Sequence, residues 1–427
     1  MKKINVLVFP CGAENASEIH AALTHSLHVN LFGASSVDDH GRFTFQQYDG
    51  DLPKIDSADF TKKFAALLRR WNIDLVFAAH DSVAAHLALL TKSLGFYLVN
   101  GETETTRITR RKSLTYAKFA GANWLPTVYS NVGVAIAANA WPILIKPDCG
   151  QGGQSITVVN DAAALQSACD LIPDPVICEY LPGQEITVDC FSDRNRKLVW
   201  VGARTRERIR AGISMRSQLL PSCSDVDRIA TEINVGLVLR GPWFFQLKKD
   251  VLGIWKLLEI SCRVAGTMVA QRARGVNLPL MAIHDYLGRD VKPLPEIRVG
   301  LIDRNISTLA ALEFEFDTVF LDLDDTVIEN GVAKPHIMSF IYGMKALKKR
   351  IVLITRHTEA VSQTLLKAHV AETLFDEIIQ IGAAELKSTY VTPRAIFIDN
   401  HFPERLDVAN RCGVPTFDVD TIALLAY

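Results

Sequence analysis

Short apolar runs rich in β-branched residues alternate with amphipathic stretches at both ends of this chain. That alternation restricts the fold more than any other feature. At the start, INVLVFP, VNLFGAS and IDLVFAAH read as strands, and NASEIHAALTHSL, FTKKFAALLRRWN and SVAAHLALLTKSLG as helices. Near the end, FDTVFLDLD, KRIVLITR, EIIQIG, RAIFIDN and VPTFDVD again alternate with helical stretches. Such alternation predicts parallel sheets covered by helices, with ligands gathered at the C-terminal strand ends. Between these regions, turns at PDCGQGG, LPGQE, SDRNRK and DVLG separate shorter strands, which predicts an α+β region with antiparallel pairing. RDVKPLPEIRVG, with two prolines and no periodicity, reads as a linker or a crossing strand. The expected fold class is therefore multidomain, α/β and α+β, divided into residues 1–100, 101–302 and 303–427. A chain of 427 residues is long for one core, and the last division is of a size that stands alone.

Composition narrows the function classes. Apolar content of 48% with 22% charged residues describes a globular protein, and a net charge of −1 gives no electrostatic reason to expect nucleic acid or an anionic membrane. The apolar runs are too short and too often broken to span a bilayer. MKKINVLVFPCG reads as a first strand, because its apolar stretch is shorter than a signal peptide needs. The 8 cysteines form no CxxC pair and no zinc spacing, which fits reduced thiols and a cytoplasmic protein. The first strand–helix turn, PCGAENAS, lacks the later glycines of a dinucleotide fingerprint. Gly12 and Asn15 there either touch a substrate or form a plain turn.

The middle of the chain carries phosphate chemistry. In WPILIKPDCGQGGQSITVV a strand delivers Lys146, and a loop with Gly150, Gly152, Gly153 and Ser155 follows. Glycines let backbone N–H groups approach phosphate oxygens, and a lysine at the strand end supplies a point charge. It is not a Walker loop, since GK[ST] is absent and a strand follows. VICEYLPGQEITVDCF then places Glu179, Gly183 and Glu185 between two strands, and WFFQLKKDVLGIWKLLEISCR is a hairpin that sets Gln246 opposite Glu259. Ser261 and Arg263 lie just beyond. In ARTRERIRAGISMRSQLLP, alternate arginines (Arg204, Arg206, Arg208, Arg210, with Arg216) face one side of a strand. They read either as an anionic-substrate surface or as a solvated basic edge.

This order of motifs resembles the ATP-grasp superfamily over roughly residues 1–300, in particular its biotin carboxylase, carbamoyl-phosphate synthetase and pyrrolysine-ligase-like branch. The resemblance implies that Lys112, in TRRKSLTYAKFAGANWLPTV, and Lys146 hold nucleotide phosphates under the loop of Gly152, Gly153 and Ser155. It implies an adenine hinge at Glu179, Tyr180 and Leu181, a ribose contact at Glu185, and Mg²⁺ on Gln246, Glu259 and Ser261. The family usually has Asn where Ser261 stands, which implies weaker binding of a second metal. The resemblance also implies that Arg263 sits beside the transferring phosphoryl group, where a planar cation suits spreading charge. The implied cofactors are ATP and Mg²⁺, with Mn²⁺ as a substitute, and the implied partners are a small carboxylate and a small amine, either of them phosphorylated or not. Homodimers are common among such ligases.

In FLDLDDTVI an apolar strand ends in Asp322, Asp324 and Asp325, with Thr326 next. DxDxT after a hydrophobic strand resembles motif I of the haloacid dehalogenase superfamily, with Thr355, Lys387 and Asp399 following in the family's order. That resemblance implies a Rossmann-like domain in which Asp322 attacks phosphorus, Asp324 protonates the leaving group and then activates water, and Thr355 and Lys387 steady the phosphoryl oxygens. Mg²⁺ would rest on Asp322, Asp324 and Asp399. Asn400 stands where a second Asp is common, leaving Asp399 and Glu404 for the metal, and Lys367 is a rival to Lys387. Too little chain separates Thr326 from Thr355 to hold a large cap. Two functions follow: an ADP-forming carboxylate–amine ligase joined to a phosphatase, or a ligase whose tail serves docking or ligand sensing. Carbamoyl-phosphate synthesis is not expected, because there is one ATP-grasp unit and no glutaminase.

Overall fold

The computed structural model describes residues 3–426 apart from 151–154, 211, 296–298, 306–307, 309 and 312–313. The chain divides into two compact units, Met1–Asn305 and Ile306–Tyr427.

The first unit opens with β1 (Ile4–Phe9), α1 (Glu14–Leu23), β2 (Val29–Ala34), β3 (Gln47–Asp49), α2 (Phe60–Arg70), β4 (Leu75–Ala78), α3 (Asp81–Leu94) and β5 (Tyr97–Leu98). These strands form one parallel sheet in the order β3-β2-β1-β4-β5. β1 is buried on both faces, as a strand between two helical layers must be. Its Val6 and Val8 pack with Ile19 of α1, and Leu7 and Phe9 pack with Phe60 and Phe64 of α2 and Leu87 of α3. The buried positions of α2, Phe60, Phe64, Leu67 and Leu68, fall on one helical stripe.

Beyond it lie two four-stranded antiparallel sheets and a three-stranded one. β6 (Val128–Tyr129), β7 (Ile143–Pro147), β8 (Thr157–Val159) and β9 (Pro175–Glu179) pair in the order β6-β9-β7-β8. The larger sheet uses β10 (Glu185–Ser192) and β11 (Leu198–Thr205). After β12 (Arg208–Arg210) and β13 (Ile213–Gln218) it is completed by β14 (Gly241–Lys249) and β15 (Trp255–Ser261), in the order β11-β10-β14-β15. β16 (Leu301–Asp303) pairs with β13, so the proline-containing segment leads into a crossing strand. The hairpin sets Gln246 opposite Glu259, as the sequence suggests, and Thr187 stands opposite both Gln246 and Arg204. Side chains in one such row share a face of the sheet.

The second unit contains β17 (Thr318–Leu321), β18 (Arg350–Thr355), β19 (Glu377–Gln380), β20 (Ala395–Ile398) and β21 (Thr416–Phe417). All pair in parallel, in the order β19-β18-β17-β20-β21. Val319 and Leu321 pack with Phe340 and Met344, and Phe320 packs with Phe397 and Val408 on the opposite face. Asp322 and Asp399 thus leave the C-terminal ends of adjacent strands, and Thr355 ends a third. Among the described residues no helix is long and apolar enough to cross a membrane.

Gly241 starts β14 at φ +120°, and a Cβ there would lie 2.5 Å from Val99 Cγ1. Gly241→Ala should therefore cost roughly 2–3 kcal/mol through backbone strain and overpacking. Denaturant unfolding checks this; an unchanged midpoint would contradict the close approach.

Candidate functional site

A cavity of about 420 Å³ is lined from both four-stranded antiparallel sheets of the first unit, and Lys112, Lys146, Tyr180, Leu181, Gln246 and Glu259 all line it. β7 delivers Lys146, which is almost fully buried. Its Nζ donates to Tyr116 Oη at 2.8 Å and to the Leu258 carbonyl at 3.3 Å. Lys112 Nζ reaches the Asp148 carbonyl at 3.4 Å. Burial pushes the Lys112 ammonium down; Glu259 works against that shift and Lys146 adds to it. An anion entering between the two ammonium groups relieves both, which is the electrostatic condition for holding phosphate. The cavity is also walled by the apolar side chains of Leu144, Ile156, Val158, Cys178 and Leu258. Apolar walls together with two ammonium groups fit a nucleobase and its phosphates.

Glu179 and Glu185 also line this cavity, but both carboxylates already have partners. Glu179 accepts from the Thr127 N–H at 2.8 Å, and Glu185 pairs with Arg206 at 2.6 Å. Ser155 is exposed and does not line the cavity, while Gly152 and Gly153 lie outside the described residues. Gln246 and Glu259 face the cavity side by side, an oxygen pair suited to Mg²⁺ next to phosphate.

Ser261 and Arg263 are held differently. Ser261 Oγ donates to Asp81 Oδ1 at 2.5 Å, and Arg263 Nε and Nη2 contact Asp81 Oδ2 at 3.0 and 2.9 Å. The Arg263 guanidinium lies over the Phe244 ring at 5.2 Å. Asp81 is the first residue of α3, at the C-terminal end of a parallel strand. Sequence reasoning passed over it, although its position just after IDLVFAAH was the available signal. Arg263 lines a second cavity of about 280 Å³, which shares Arg206, Gly212, Gln246 and Glu259 with the first. The arginine series is not one surface. Arg204 is buried against Asp189, Arg206 pairs with Glu185, Arg208 and Arg216 both pair with Asp303, and Arg210 is exposed. β11 ends at Thr205, and this break in the strand undoes the expected alternation.

In the second unit Lys387 Nζ bridges Asp322 Oδ1 at 2.6 Å and Asp399 Oδ2 at 2.7 Å, all three residues being buried. Lys367, the rival, is exposed and pairs with Glu359 at 3.8 Å. Thr355 is buried, and its Oγ1 accepts from the His357 N–H at 3.0 Å. Asp324 does not converge with the other carboxylates. Its two oxygens lie 2.9 and 3.1 Å from His357 Nδ1, so the imidazole is its partner. Glu404 is turned away too, to Arg356 at 2.9 Å. Accordingly, among the described residues no cluster of three or more His, Cys, Asp or Glu side chains is placed to hold a metal. Burial pushes the Asp322 carboxyl up to about 6; Lys387 opposes the shift and Asp399 adds to it. Two buried carboxylates against one ammonium leave negative charge in excess, and a divalent cation fits that excess.

Residues 172–308 match the model of a family described as ATP-grasp in the biosynthetic pathway with Ter operon. Among solved structures, the chain is similar to the biotin carboxylase domain of the 2-oxoglutarate carboxylase of Hydrogenobacter thermophilus, solved with MgADP, ADP and bicarbonate. They share 16% identity over 68% of this chain and 71% of that one, with a TM-score of 0.57. The ADP complex of N5-carboxyaminoimidazole synthetase from Staphylococcus aureus is 14% identical over 69% and 81%, with a TM-score of 0.58. The L-amino acid ligase of Bacillus licheniformis is 17% identical over 69% and 76%, with a TM-score of 0.53. The chain therefore contains the ATP-grasp fold.

The Asp322 shift has a sign that can be measured. Its carboxyl lies at about 6 in the folded protein against a usual value of 3.8. The stability it contributes is thus present below about pH 4 and lost as pH rises through about 6, a difference on the order of 3 kcal/mol at neutral pH. Asp322→Asn should raise the thermal midpoint of the second unit at pH 7.5 without divalent cation, with the advantage fading toward pH 4. An advantage that does not change with pH would contradict the buried like-charge pair.

Proposed function

We propose that the first unit, through its segments 1–100 and 101–302, is an ATP-dependent ligase that joins a small carboxylate to an amine by way of an acyl phosphate. The observation that carries the reading is one cavity lined by Lys112, Lys146, Gln246 and Glu259 together with apolar walls. The fold, and the nucleotides held by the structures of the Hydrogenobacter and Staphylococcus proteins, support it. ATP would lay its base against the apolar walls beside Tyr180 and Leu181 and its phosphates on the lysines, with Mg²⁺ on Gln246 and Glu259. Arg263, steadied by Asp81 and Ser261, would meet the phosphoryl group as it passes to the acid. Amine attack on the acyl phosphate then releases phosphate.

The second unit, within 303–427, reads as a Mg²⁺-dependent phosphatase of haloacid dehalogenase type acting on a phosphorylated substrate or product of the ligase. Asp322 is the nucleophile, Asp324 the acid and base, and Lys387 and Thr355 orient the phosphoryl oxygens, with Asp399 for the metal. Asp324 fits its part only after leaving His357. That contact, together with Asn400 in place of an acid, favours a second reading in which the tail docks or senses a phosphorylated ligand. Covalent linkage of the two units raises the local concentration of one for the product of the other.

MgATP should raise the thermal midpoint, because a ligand that binds only the folded state stabilises it. Lys146→Ala and Glu259→Ala should each weaken nucleotide affinity roughly tenfold or more, the scale of one lost charged contact. Parent-like affinity in both variants would remove the nucleotide assignment. With an accepted acid and amine, ADP and phosphate should appear in step with product; stoichiometric AMP would replace this mechanism with an adenylating one. Hydrolysis of a phosphomonoester such as p-nitrophenyl phosphate should require Mg²⁺ and vanish in Asp322→Asn. A Mg²⁺-replete protein inert toward a broad phosphoester panel favours the docking reading.

A further inference from the structure

The second cavity, about 280 Å³, is small for a ligand site and is lined by Asn15, His80, Thr187, Arg204, Arg263 and Thr267 among others. Arg204 is 1% exposed. Its Nε and Nη2 donate to Asp189 at 2.7 and 3.2 Å, and Gln271 Nε2 fixes the same carboxylate at 3.0 Å. The remaining nitrogen, Nη1, is buried and has no hydrogen-bond partner among the described residues. A buried donor left unpaired is costly, and a guanidinium locked by a carboxylate is already oriented for a third contact.

Register gives that donor a place. Arg204, Thr187, Gln246 and Glu259 stand in one row across β11, β10, β14 and β15. Arg204 and Gln246 are therefore two strand spacings apart, roughly 10 Å between backbones. A molecule that presents its carboxylate at the Gln246–Glu259 end can meet Arg204 Nη1 with a group a few bonds away. The charge balance states what kind of group. Asp189 answers Arg204, Asp81 answers Arg263 and Glu185 answers Arg206. A guanidinium already neutralised by a buried carboxylate does not call for a second anion; its spare N–H suits an uncharged oxygen acceptor.

We propose that Arg204 is a specificity-determining residue that reads an amide carbonyl on the acid substrate, so that the acid is an N-acyl amino acid or small peptide. This rests on the ligase reading for the position of the reacting carboxylate. The competing occupant of Nη1 is an ordered water, which would leave acids undiscriminated.

Ligand-observed NMR on the full-length protein, with and without MgADP, tests the proposal. N-acetylglycine and N-acetylglycylglycine are compared with the chain-matched pentanoate and octanoate, and with succinate and glutarate. The expected result is at least tenfold tighter binding of an amide acid than of its matched alkanoate or either diacid. That ratio should collapse in Arg204→Lys, which keeps the charge beside Asp189 and loses the forked nitrogen, while the MgADP-induced rise in thermal midpoint persists. Should that variant not fold, Arg204→Gln combined with Asp189→Asn removes both charges of the pair together and should also abolish the preference. Equal binding of all acids, preference for the diacids, no binding of any acid, or a preference that survives both variants would overturn the proposal. Failure of MgADP itself to bind would instead overturn the ligase reading, and acid binding measured without nucleotide would still decide the role of Arg204.

Discussion

The register of the β11-β10-β14-β15 sheet is the constraint on which the larger unit depends. Because side chains alternate faces along a strand, a slip of one residue would turn Gln246 or Glu259 out of the cavity. The register is held by apolar neighbours on the other face, where Val188, Phe245, Leu247 and Ile260 share one core with Trp243 and Leu257. The same row continues to Thr187 and Arg204, so the pairing that aligns the candidate metal side chains also aligns the spare donor of the second cavity. Packing energy spent on one face thus fixes polar geometry on the other.

Charge is arranged in opposite ways in the two units. Around the first cavity Arg206 is matched by Glu185, while Lys112, Lys146 and Lys248 bring further cations to its wall. In the second unit a single ammonium serves two buried carboxylates, and the surplus is negative. One arrangement favours an arriving polyphosphate and the other an arriving cation.

Much of this was legible in the sequence because it depends on local pattern. The period of the apolar runs predicts both parallel sheets, and the DVLG turn fixes the hairpin that sets Gln246 opposite Glu259. Charges aimed by strand ends, as with Lys146 and Asp322, can be found the same way. What sequence alone missed depends on partners distant in the chain. Asp81 lies far from Ser261 and Arg263, and no spacing rule connects them. Asp324 turns to His357 and Glu185 turns to Arg206; in both, competition between partners decides the outcome. The arginine run failed for a local reason, since β11 stops before the alternation can continue.

The most direct measurement of the central claim is a structure of the protein with Mg²⁺ and a non-hydrolysable ATP analogue. The account predicts the base between Leu144, Val158 and Leu258, the phosphates within hydrogen-bond distance of Lys112 and Lys146, and the metal on Gln246 and Glu259. Nucleotide bound elsewhere, or phosphates that leave both lysines on their present protein partners, would contradict it.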